Sequence, residues 1–442
     1  MREFLRKTGF FRIEESISRL TAQAERMVEK AGTEEDCEKF EALPSYIDPA
    51  QSSAHHQALL TIDVGGTHSR VGLRTVSGSF LNWLQLINVF NEELKSDLPG
   101  ASGLQRFAAE MARQSCVKLK QHGMDRSLIS GLGIVWSNAL ENRVESGSIK
   151  GLVTQRRHYK KNEWFISDLK DGTEINAPFE CAFREQGINI RVSMVGNDTP
   201  LTLKAADSAD SGAVVSTGMN GTILKHFAVP PRGKLRRVVC NAEMGGRMII
   251  PAEMRSSADL LDNDCPAQYI ESLSAGKSLP QLFNSYIRVL AREGLHELAP
   301  LAAVLGPVSR FQAADLGALL TDPSRFAAEF NPAGLVTSEV ANLLMELSRA
   351  LLVRAARLSG IMAYATICNQ LTEKNHFRIA LESRLCREIP LYFQTMTEQL
   401  AALMPQGKQA ELVLLEPLRP DGGSISVPMQ GAAAALDNLL AG

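Results

Sequence analysis

The most informative segment of the chain reads Leu59-Leu60-Thr61-Ile62-Asp63-Val64-Gly65-Gly66-Thr67-His68-Ser69-Arg70-Val71-Gly72. Apolar residues on both sides of the glycine pair predict two strands joined by a tight turn. Gly65 and Gly66 let the backbone approach an anion, and Thr67 adds a hydroxyl donor. Asp63, at the end of the first strand, can hold a hydrated cation. The segment therefore predicts a phosphate-binding turn, with an ordinary β-hairpin as the alternative.

A second segment of the same kind follows later in the chain. A β-rich run at 213–216 leads into Thr217-Gly218-Met219-Asn220-Gly221-Thr222 and continues as Ile223-Leu224. Two strand-turn-strand phosphate sites in one chain predict a nucleotide held between two related domains.

Length and composition indicate the class of protein. With 442 residues the chain exceeds one comfortable hydrophobic core, so we expect two domains. Hydrophobic residues make up 45% and charged residues 22%, which is ordinary for a soluble globular protein. The formal net charge of -2 gives none of the basic surface that is typical of nucleic-acid binding. We therefore expect no nucleic-acid partner.

Cysteine usage and the N-terminus indicate the compartment. Seven cysteines lie scattered with no CxxC pair, which is typical of a reducing compartment and predicts no zinc site. Charged residues interrupt positions 1–15 too often for a signal peptide. No apolar run approaches membrane-spanning length. A cytoplasmic protein with no membrane partner is expected.

The rest of the pattern alternates strands and helices, which predicts an α/β fold. Predicted strands lie at 130–136, 188–195, 377–381 and 411–415. Predicted helices lie in the N-terminal region, at 102–122, 178–185, from 200, at 267–274, 279–293, 336–371 and 389–404, and from 430. The polar, Lys- and Arg-rich stretch from Asn138 to Thr173 is expected to run over the surface as a long loop.

The polar motif Asn197-Asp198-Thr199-Pro200 follows a predicted buried strand. Asp198 facing a cleft would act as a general base that accepts a proton from a hydroxyl attacking phosphorus. The alternative is that the carboxylate caps the helix that starts here. Asn197 can both donate to and accept from a polyol.

A second set of amide and acid side chains suits several vicinal hydroxyls. Asn241 and Glu243 lie two residues apart, so on an extended segment both point to one side, and Glu271 follows. Each taken alone is more typical of a solvated surface residue. Gly276-Lys277-Ser278 imitates the end of a P-loop, but the position of that motif's first glycine is Glu271, which excludes it.

Seven short segments in order carry a resemblance to a known family. They lie at 43–47, 62–71, 133–137, 197–199, 216–220, 241–245 and 270–276. They resemble, in that order, the family motifs LPTYV, LDLGGTNFRV, GFTFS, NDT, GTGxN, NTEWG and FEKMISG. From Leu43 to about Gly431 the chain is thus similar to the ATP-dependent hexokinases. These are the eukaryotic-type hexokinases and glucokinases within the sugar-kinase, actin and Hsp70 superfamily.

The resemblance implies an α/β, two-domain actin-like ATPase (ribonuclease H-like) fold with a cleft between a small and a large domain. The small domain is expected at 58–201, completed by a C-terminal helix at 428–442. The large domain is expected at 1–57 and 202–427. The implied activity is transfer of the γ-phosphoryl group of ATP, with Mg²⁺, to the 6-hydroxyl of a hexose, glucose first, as in glycolysis. A monomer or homodimer is compatible with it.

The resemblance also assigns roles to residues. Asp198 is implied to be the general base. The implied sugar-binding residues are Ser137, Asn197, Asn241, Glu243, Glu271 and Lys161. The implied nucleotide-binding residues are Asp63, Gly65, Gly66, Thr67, Arg70, Thr217, Gly218, Asn220 and Gly431, with Asp63 also reaching Mg²⁺ through water.

Four departures from the family pattern stand out. His68 replaces an asparagine in the first phosphate motif. The sugar-binding TKGF segment has no clear counterpart: counting back from Asp198 reaches Lys160 or Lys161, and counting forward from Ser137 reaches 154–155. At the adenosine end, 379–384 replaces a VDGS-type turn, and 426–433 keeps only the final Gly-Ala-Ala of GSGKGAA. We therefore expect nucleoside recognition to differ from that of the family.

Two functions of other classes remain open. A non-catalytic sugar or nucleotide sensor on the same fold would explain the altered adenosine turn. An actin- or Hsp70-like ATPase would share the phosphate turns but has no use for the polyol-binding Asn and Glu set. Repressor-type bacterial glucokinases are excluded because their cysteine-rich zinc motif is absent from this sequence.

Overall fold

The structure, a computed structural model, describes most of the chain. The described residues are 1–31, 43–48, 58–65, 68–87, 102–154, 166, 169–206, 208–229, 234–260, 268–305, 311–324, 334–420 and 424–441. The chain forms two compact units. Unit 1 comprises Met1–Lys30, Ala213–Gly221 and Met244–Leu414. Unit 2 comprises Ala31–Gly212, Thr222–Glu243 and Leu415–Gly442. The finer domain boundaries inferred from the sequence stay a prediction.

Both units mix strands and helices, so the α/β prediction is confirmed. The strands are β1 (Leu43–Pro44), β2 (Ala58–Val64), β3 (His68–Arg74), β4 (Phe80–Ile87), β5 (Ile129–Trp136), β6 (Leu140–Glu145), β7 (Ser148–Val153), β8 (Val192–Asn197), β9 (Ser211–Val215), β10 (Met219–Val229), β11 (Lys234–Asn241), β12 (Ile249–Ile250), β13 (Gln268–Tyr269), β14 (His376–Glu382) and β15 (Gln409–Leu414). The helices are α1 (Arg2–Lys7), α2 (Arg12–Glu15), α3 (Ile17–Lys30), α4 (Gly103–Gln121), α5 (Asn176–Glu185), α6 (Asp198–Ala205), α7 (Ile270–Ser274), α8 (Leu279–Arg292), α9 (Ala299–Val304), α10 (Ala313–Thr321), α11 (Ser338–Ala365), α12 (Arg384–Glu388), α13 (Pro390–Leu403) and α14 (Val427–Ala441).

Unit 2 is built on a seven-stranded sheet in the order β4-β3-β2-β5-β8-β7-β6. Strands β2, β5 and β8 are parallel neighbours at its centre, and β3 and β4 extend it antiparallel to β2. All residues of β2 are buried because helices cover both faces. On one face Leu60 and Ile62 pack with Phe107 of α4, and on the other Leu59 packs with Met429 of α14. This burial fixes the carboxyl ends of three parallel strands side by side.

Unit 1 carries the second phosphate segment. The first residues of β10 pair antiparallel with β9, and β14 and β15 follow as a parallel pair in the order β9-β14-β15. The long helix α11 packs against α13, α10, α7 and α3. The β10 strand continues into unit 2, where it pairs with β11 and β11 pairs with β1.

One apolar segment is longer than the sequence analysis expected. By length and composition alone the segment Ser338–Gln370 could cross a membrane, contrary to the sequence analysis. Within the structure 83% of its most apolar window is buried, which is also the pattern of a core helix.

The stretch from Asn138 to Thr173 also differs from the expectation of a surface loop. Its first part forms the β6–β7 hairpin, and β7 pairs with β8. Leu140, Ile149 and Val153 are buried. The two-residue alternation of buried and exposed side chains that is typical of strands was therefore present, although the stretch is polar overall. Strand β8 starts at Val192, later than the predicted residue 188, and the N-terminal region holds three helices rather than one.

Candidate active site

The first glycine turn closes between β2 and β3 in unit 2. The Gly65 N–H donates to the His68 carbonyl oxygen at 3.1 Å. A Cβ at residue 65 would lie 2.9 Å from that same oxygen, so the turn requires glycine there. His68 contributes its backbone carbonyl to this bond, which does not depend on the side chain at residue 68. The predicted residues Gly66 and Thr67 lie outside the described residues.

Asp63 lies one residue before the end of β2 and is 5% exposed. Arg70, its partner across the β2–β3 pair, places Nη1 3.3 Å from Asp63 Oδ2. The Ser426 hydroxyl donates to the same oxygen at 2.7 Å. Burial raises the pKa of Asp63, and Arg70 and Ser426 oppose that rise. Arg70, predicted to contact nucleotide, therefore holds this carboxylate in place.

Asp63 suits a hydrated Mg²⁺ that arrives with phosphates. Among the described residues no group of three or more His, Cys, Asp or Glu side chains could cage a metal ion. Mg²⁺ commonly keeps several waters and binds through one or two carboxylates plus substrate phosphates. A single buried carboxylate beside a glycine turn fits that mode.

Asn197 and Asp198 make different contacts at the start of α6. Asn197 is the helix N-cap, and its Oδ1 accepts from the Thr199 N–H at 3.2 Å. Its Nδ2 donates to the carbonyl oxygens of Trp136 and Asn138, each at 3.2 Å. The alternative that Asp198 caps the helix is therefore wrong, because Asn197 does so. Asp198 is half-buried in the first turn, and its Oδ1 accepts from the Thr199 hydroxyl at 3.1 Å.

Ser137 joins this group through the sheet. It directly follows β5, and its N–H donates to the Val64 carbonyl oxygen at 3.1 Å. The register pairs Val64 with Trp136, and Trp136 with Asn197. Three neighbouring parallel strands of unit 2 thus present polar residues at one sheet edge: Asp63, Ser137 and Asp198. The carboxyl end of parallel strands is where α/β proteins bind ligands.

Asn241 and Glu243 touch each other at the end of β11. The Asn241 Nδ2 donates to Glu243 Oε1 at 2.6 Å, and both residues are buried. Glu243 has φ +50°, a left-handed conformation that a non-glycine residue adopts at a cost of about 1–3 kcal/mol. Strain of this kind clusters at functional sites. The expectation of an extended segment here is corrected: the chain bends at Glu243 and brings amide and acid together.

The second turn lies in unit 1 between β9 and β10. The Ser216 N–H donates to the Gly218 carbonyl oxygen at 2.8 Å, which closes the turn and leaves the Thr217 side chain exposed. The Asn220 Oδ1 accepts from the Gly221 N–H at 2.7 Å. Glu271, half-buried on α7, accepts from the Met219 N–H at 3.3 Å.

Two further predicted site residues have different outcomes. Gly431 lies on α14, where a Cβ would overlap the Leu201 carbonyl oxygen of α6. Its visible role is close packing of two helices, and a nucleotide contact stays a prediction. Lys161 lies outside the described residues.

The altered adenosine turn is held by Ser383, a residue to which the sequence analysis gave no role. Its hydroxyl donates to the Val215 carbonyl oxygen at 2.6 Å and accepts from the Cys386 N–H at 3.1 Å, as the N-cap of α12. Its φ of -156° is extended backbone, which needs no glycine. Glu382 pairs with Arg387 at 3.0 Å. The only sequence signal for Ser383, and for Ser426, was their place in motifs that depart from the family.

Comparisons with known proteins find similarity to hexokinases. The family model described as Hexokinase matches residues 210–426. A hexokinase of Emericella nidulans is 28% identical over 249 residues, which are 51% of this chain and 47% of that protein. Hexokinase-7 of Oryza sativa subsp. japonica is 23% identical over 296 residues, 62% of this chain and 58% of that protein. The matches thus span about half the length of these relatives.

Solved structures show the same fold. The hexokinase of Schistosoma mansoni in complex with glucose superposes with a TM-score of 0.75 at 17% identity, covering 100% of this chain and 99% of that one. A second hexokinase structure superposes with a TM-score of 0.66 at 16% identity, covering 98% of this chain and 100% of that one. The expected two-domain actin-like fold is confirmed.

Proposed function

The chain is related to the hexokinases through its family match and its fold, and from that premise we propose that it is a sugar kinase. Its reaction transfers the γ-phosphoryl group of ATP to the 6-hydroxyl of a hexose. Glucose is the first candidate, because the Schistosoma mansoni structure with the same fold was solved with glucose.

One observation carries the proposal. Asn197 caps α6, so the neighbouring Asp198 carboxylate is not used as the cap. It lies instead at the sheet edge that also presents Ser137 and Asp63. A carboxylate placed beside a serine and a phosphate turn suits proton removal from a hydroxyl that attacks phosphorus.

In the proposed reaction each residue has one task. Asp198 accepts the proton of the attacking hydroxyl as the oxygen–phosphorus bond forms. Asn241 and Glu243, already joined by a 2.6 Å hydrogen bond, present one amide and one carboxylate to neighbouring sugar hydroxyls. Asn197 orients the loop after β5 through its bonds to Trp136 and Asn138, so it supports Ser137 as well as any sugar contact of its own.

We assign binding of ATP, the phosphoryl donor, to the two glycine turns. Their backbone N–H groups, with the Thr217 hydroxyl, neutralise charge on the phosphoryl oxygens. Bound Mg²⁺ would supply further charge neutralisation, and Asp63 is the carboxylate that would hold it through water. Arg70 and Ser426 keep that carboxylate aligned.

The sensor alternative is favoured by one observation. At the positions where the family has a glycine turn for adenosine, this chain has Ser383 and the Glu382–Arg387 ion pair. A protein that binds glucose tightly and forms no sugar phosphate with Mg²⁺ and ATP would be that sensor.

The test is the Asp198→Asn variant, which keeps side-chain size and removes the base. We predict a kcat for glucose phosphorylation lower by roughly 10²–10⁴-fold, with the glucose dissociation constant from calorimetry little changed. Asp171→Asn, at an exposed aspartate of unit 2, serves as the matched control and keeps the parent rate. An Asp198→Asn variant that phosphorylates glucose near the parent rate contradicts the assignment.

A further inference from the structure

The second glycine turn is held by neighbouring segments of unit 1. The Gly276 N–H donates to the Ser216 carbonyl oxygen at 2.7 Å, and the Lys277 N–H donates to the Thr217 carbonyl oxygen at 3.3 Å. These two bonds use carbonyl groups of the turn. On the N–H side, the Ser216 N–H donates to the Gly218 carbonyl oxygen within the turn.

Glu271 makes the contact on the N–H side. Its Oε2 accepts from the Met219 backbone N–H at 3.3 Å, at the residue where the turn becomes β10. The Met219 sulfur also lies 3.2 Å from the Ser274 hydroxyl, on the same helix α7 as Glu271. Met219 is thus held by α7 through both its backbone and its side chain.

Two glycines border this carboxylate. A Cβ at Gly218 would lie 3.4 Å from Glu271 Oε1, and a Cβ at Gly245 would lie 2.9 Å from Oε2. A Cβ at Gly245 would also overlap the Met219 carbonyl oxygen. Gly245 therefore leaves the space that the Met219 backbone and the Glu271 carboxylate occupy, whereas Gly218 adjoins the carboxylate at ordinary contact distance.

We propose that Glu271 is a positioning residue for the donor-phosphate turn, in addition to its predicted contact with sugar. By accepting from Met219 it fixes the backbone that carries Thr217 and Gly218, even with no sugar bound. The inference rests on the proposed function, because that function makes the turn a donor site. Since the same carboxylate is a predicted sugar ligand, sugar and nucleotide binding are expected to be coupled.

The experiment compares Glu271→Ala with Glu271→Gln in the full chain. Both variants remove the negative charge, so any change in repulsion of phosphate is common to them, but Gln alone keeps an acceptor oxygen. We measure binding of a non-hydrolysable ATP analogue with Mg²⁺ and no sugar by calorimetry. The Ala variant is expected to bind it about three- to tenfold more weakly than the Gln variant.

A second readout needs no nucleotide. Hydrogen exchange of the backbone amides at 216–220 in the free protein should be faster in the Ala variant and close to the parent in the Gln variant. Glu271→Met, similar in length to Gln but with only the weakly accepting thioether sulfur in place of the carboxylate, should behave like Ala and keeps the comparison available if Ala fails to fold. Glu297→Ala, at an exposed glutamate of unit 1 outside the proposed site, should keep the parent affinity for the analogue.

The outcomes separate the two proposals. Ala, Met and Gln variants that bind the analogue equally and exchange equally overturn the inference alone. A parent protein that binds no analogue overturns the proposed function and the inference together. Weaker analogue binding in Glu297→Ala to the same extent as in Glu271→Ala also overturns the inference, because the effect would not then depend on the Met219 contact.

Discussion

Asp63 shows how a single residue of the site opposes folding. Burial raises its pKa above the ordinary 3.8, so the ionised carboxylate is less favourable in the folded chain than in the unfolded one. Its contribution to stability is therefore fully present below the unfolded pKa and is lost as the pH rises through the folded pKa.

We predict that Asp63→Asn raises the melting temperature at about pH 7, with a gain that shrinks as the pH falls through the raised folded-state pKa and is gone below the ordinary value of 3.8. Thermal unfolding followed by circular dichroism across that range measures it. Asp125 is the matched control, because hydrogen bonds from Ser127 lower its pKa and its contribution is lost as the pH falls. Asp125→Asn should lose stability at neutral pH, and an Asp63→Asn variant that does the same contradicts the sign.

The sequence identified the polar residues of the site, but it did not show which of them caps the helix and which is the candidate base. Asn197 and Asp198 are adjacent, and either could cap a helix. The backbone of the β8–α6 junction gives the cap to Asn197. The contact of Ser426 with Asp63 spans 363 positions of sequence, so no local pattern could indicate it.

At the level of elements, α14 depends on a glycine. Gly431 sits where a Cβ would overlap a carbonyl oxygen of α6, so the two helices pack backbone to backbone. In an unconstrained helix, Gly to Ala stabilises by about 1 kcal/mol, because alanine has the higher helix propensity. In a closely packed contact the added methyl group instead costs roughly 1–3 kcal/mol.

We therefore predict that Gly431→Ala lowers the free energy of unfolding, measured by urea denaturation. Residue 431 was assigned to nucleotide binding from the family motif. If nucleotide binding were its only role, alanine at this position would stabilise the helix. A more stable Gly431→Ala protein with weaker ATP binding would contradict the packing role.

Helices and central strands were predicted well where apolar periodicity is strong. Helix α4 runs Gly103–Gln121 with Ser102 as its cap, as its spacing indicates. The β6–β7 hairpin was missed because its alternation is short and carries charged residues on the exposed side. Which strands pair, and in which register, followed only from the structure, since pairing depends on contacts distant in sequence.

At the level of the whole molecule, the order of motifs was the decisive signal. Each motif taken alone is weak, yet the resemblance that their order indicated is supported by the family match over residues 210–426 and by the shared fold. The phosphate turns belong to different units, with the first in unit 2 and the second in unit 1. The expectation that nucleoside recognition differs from that of the family stays a prediction, and in the structure Ser383 holds the segment through its bond to the Val215 carbonyl oxygen.

The most direct test of sugar-kinase activity is ADP formation from Mg²⁺ and ATP, measured with and without hexose in the same preparation. We predict that glucose is required, and that one glucose 6-phosphate appears for each ADP, because the sugar hydroxyl is the phosphoryl acceptor. ADP formation at the same rate without any sugar would contradict sugar-kinase activity and indicate a partner-coupled ATPase. Tight glucose binding without any ADP formation would contradict it too and indicate the sensor.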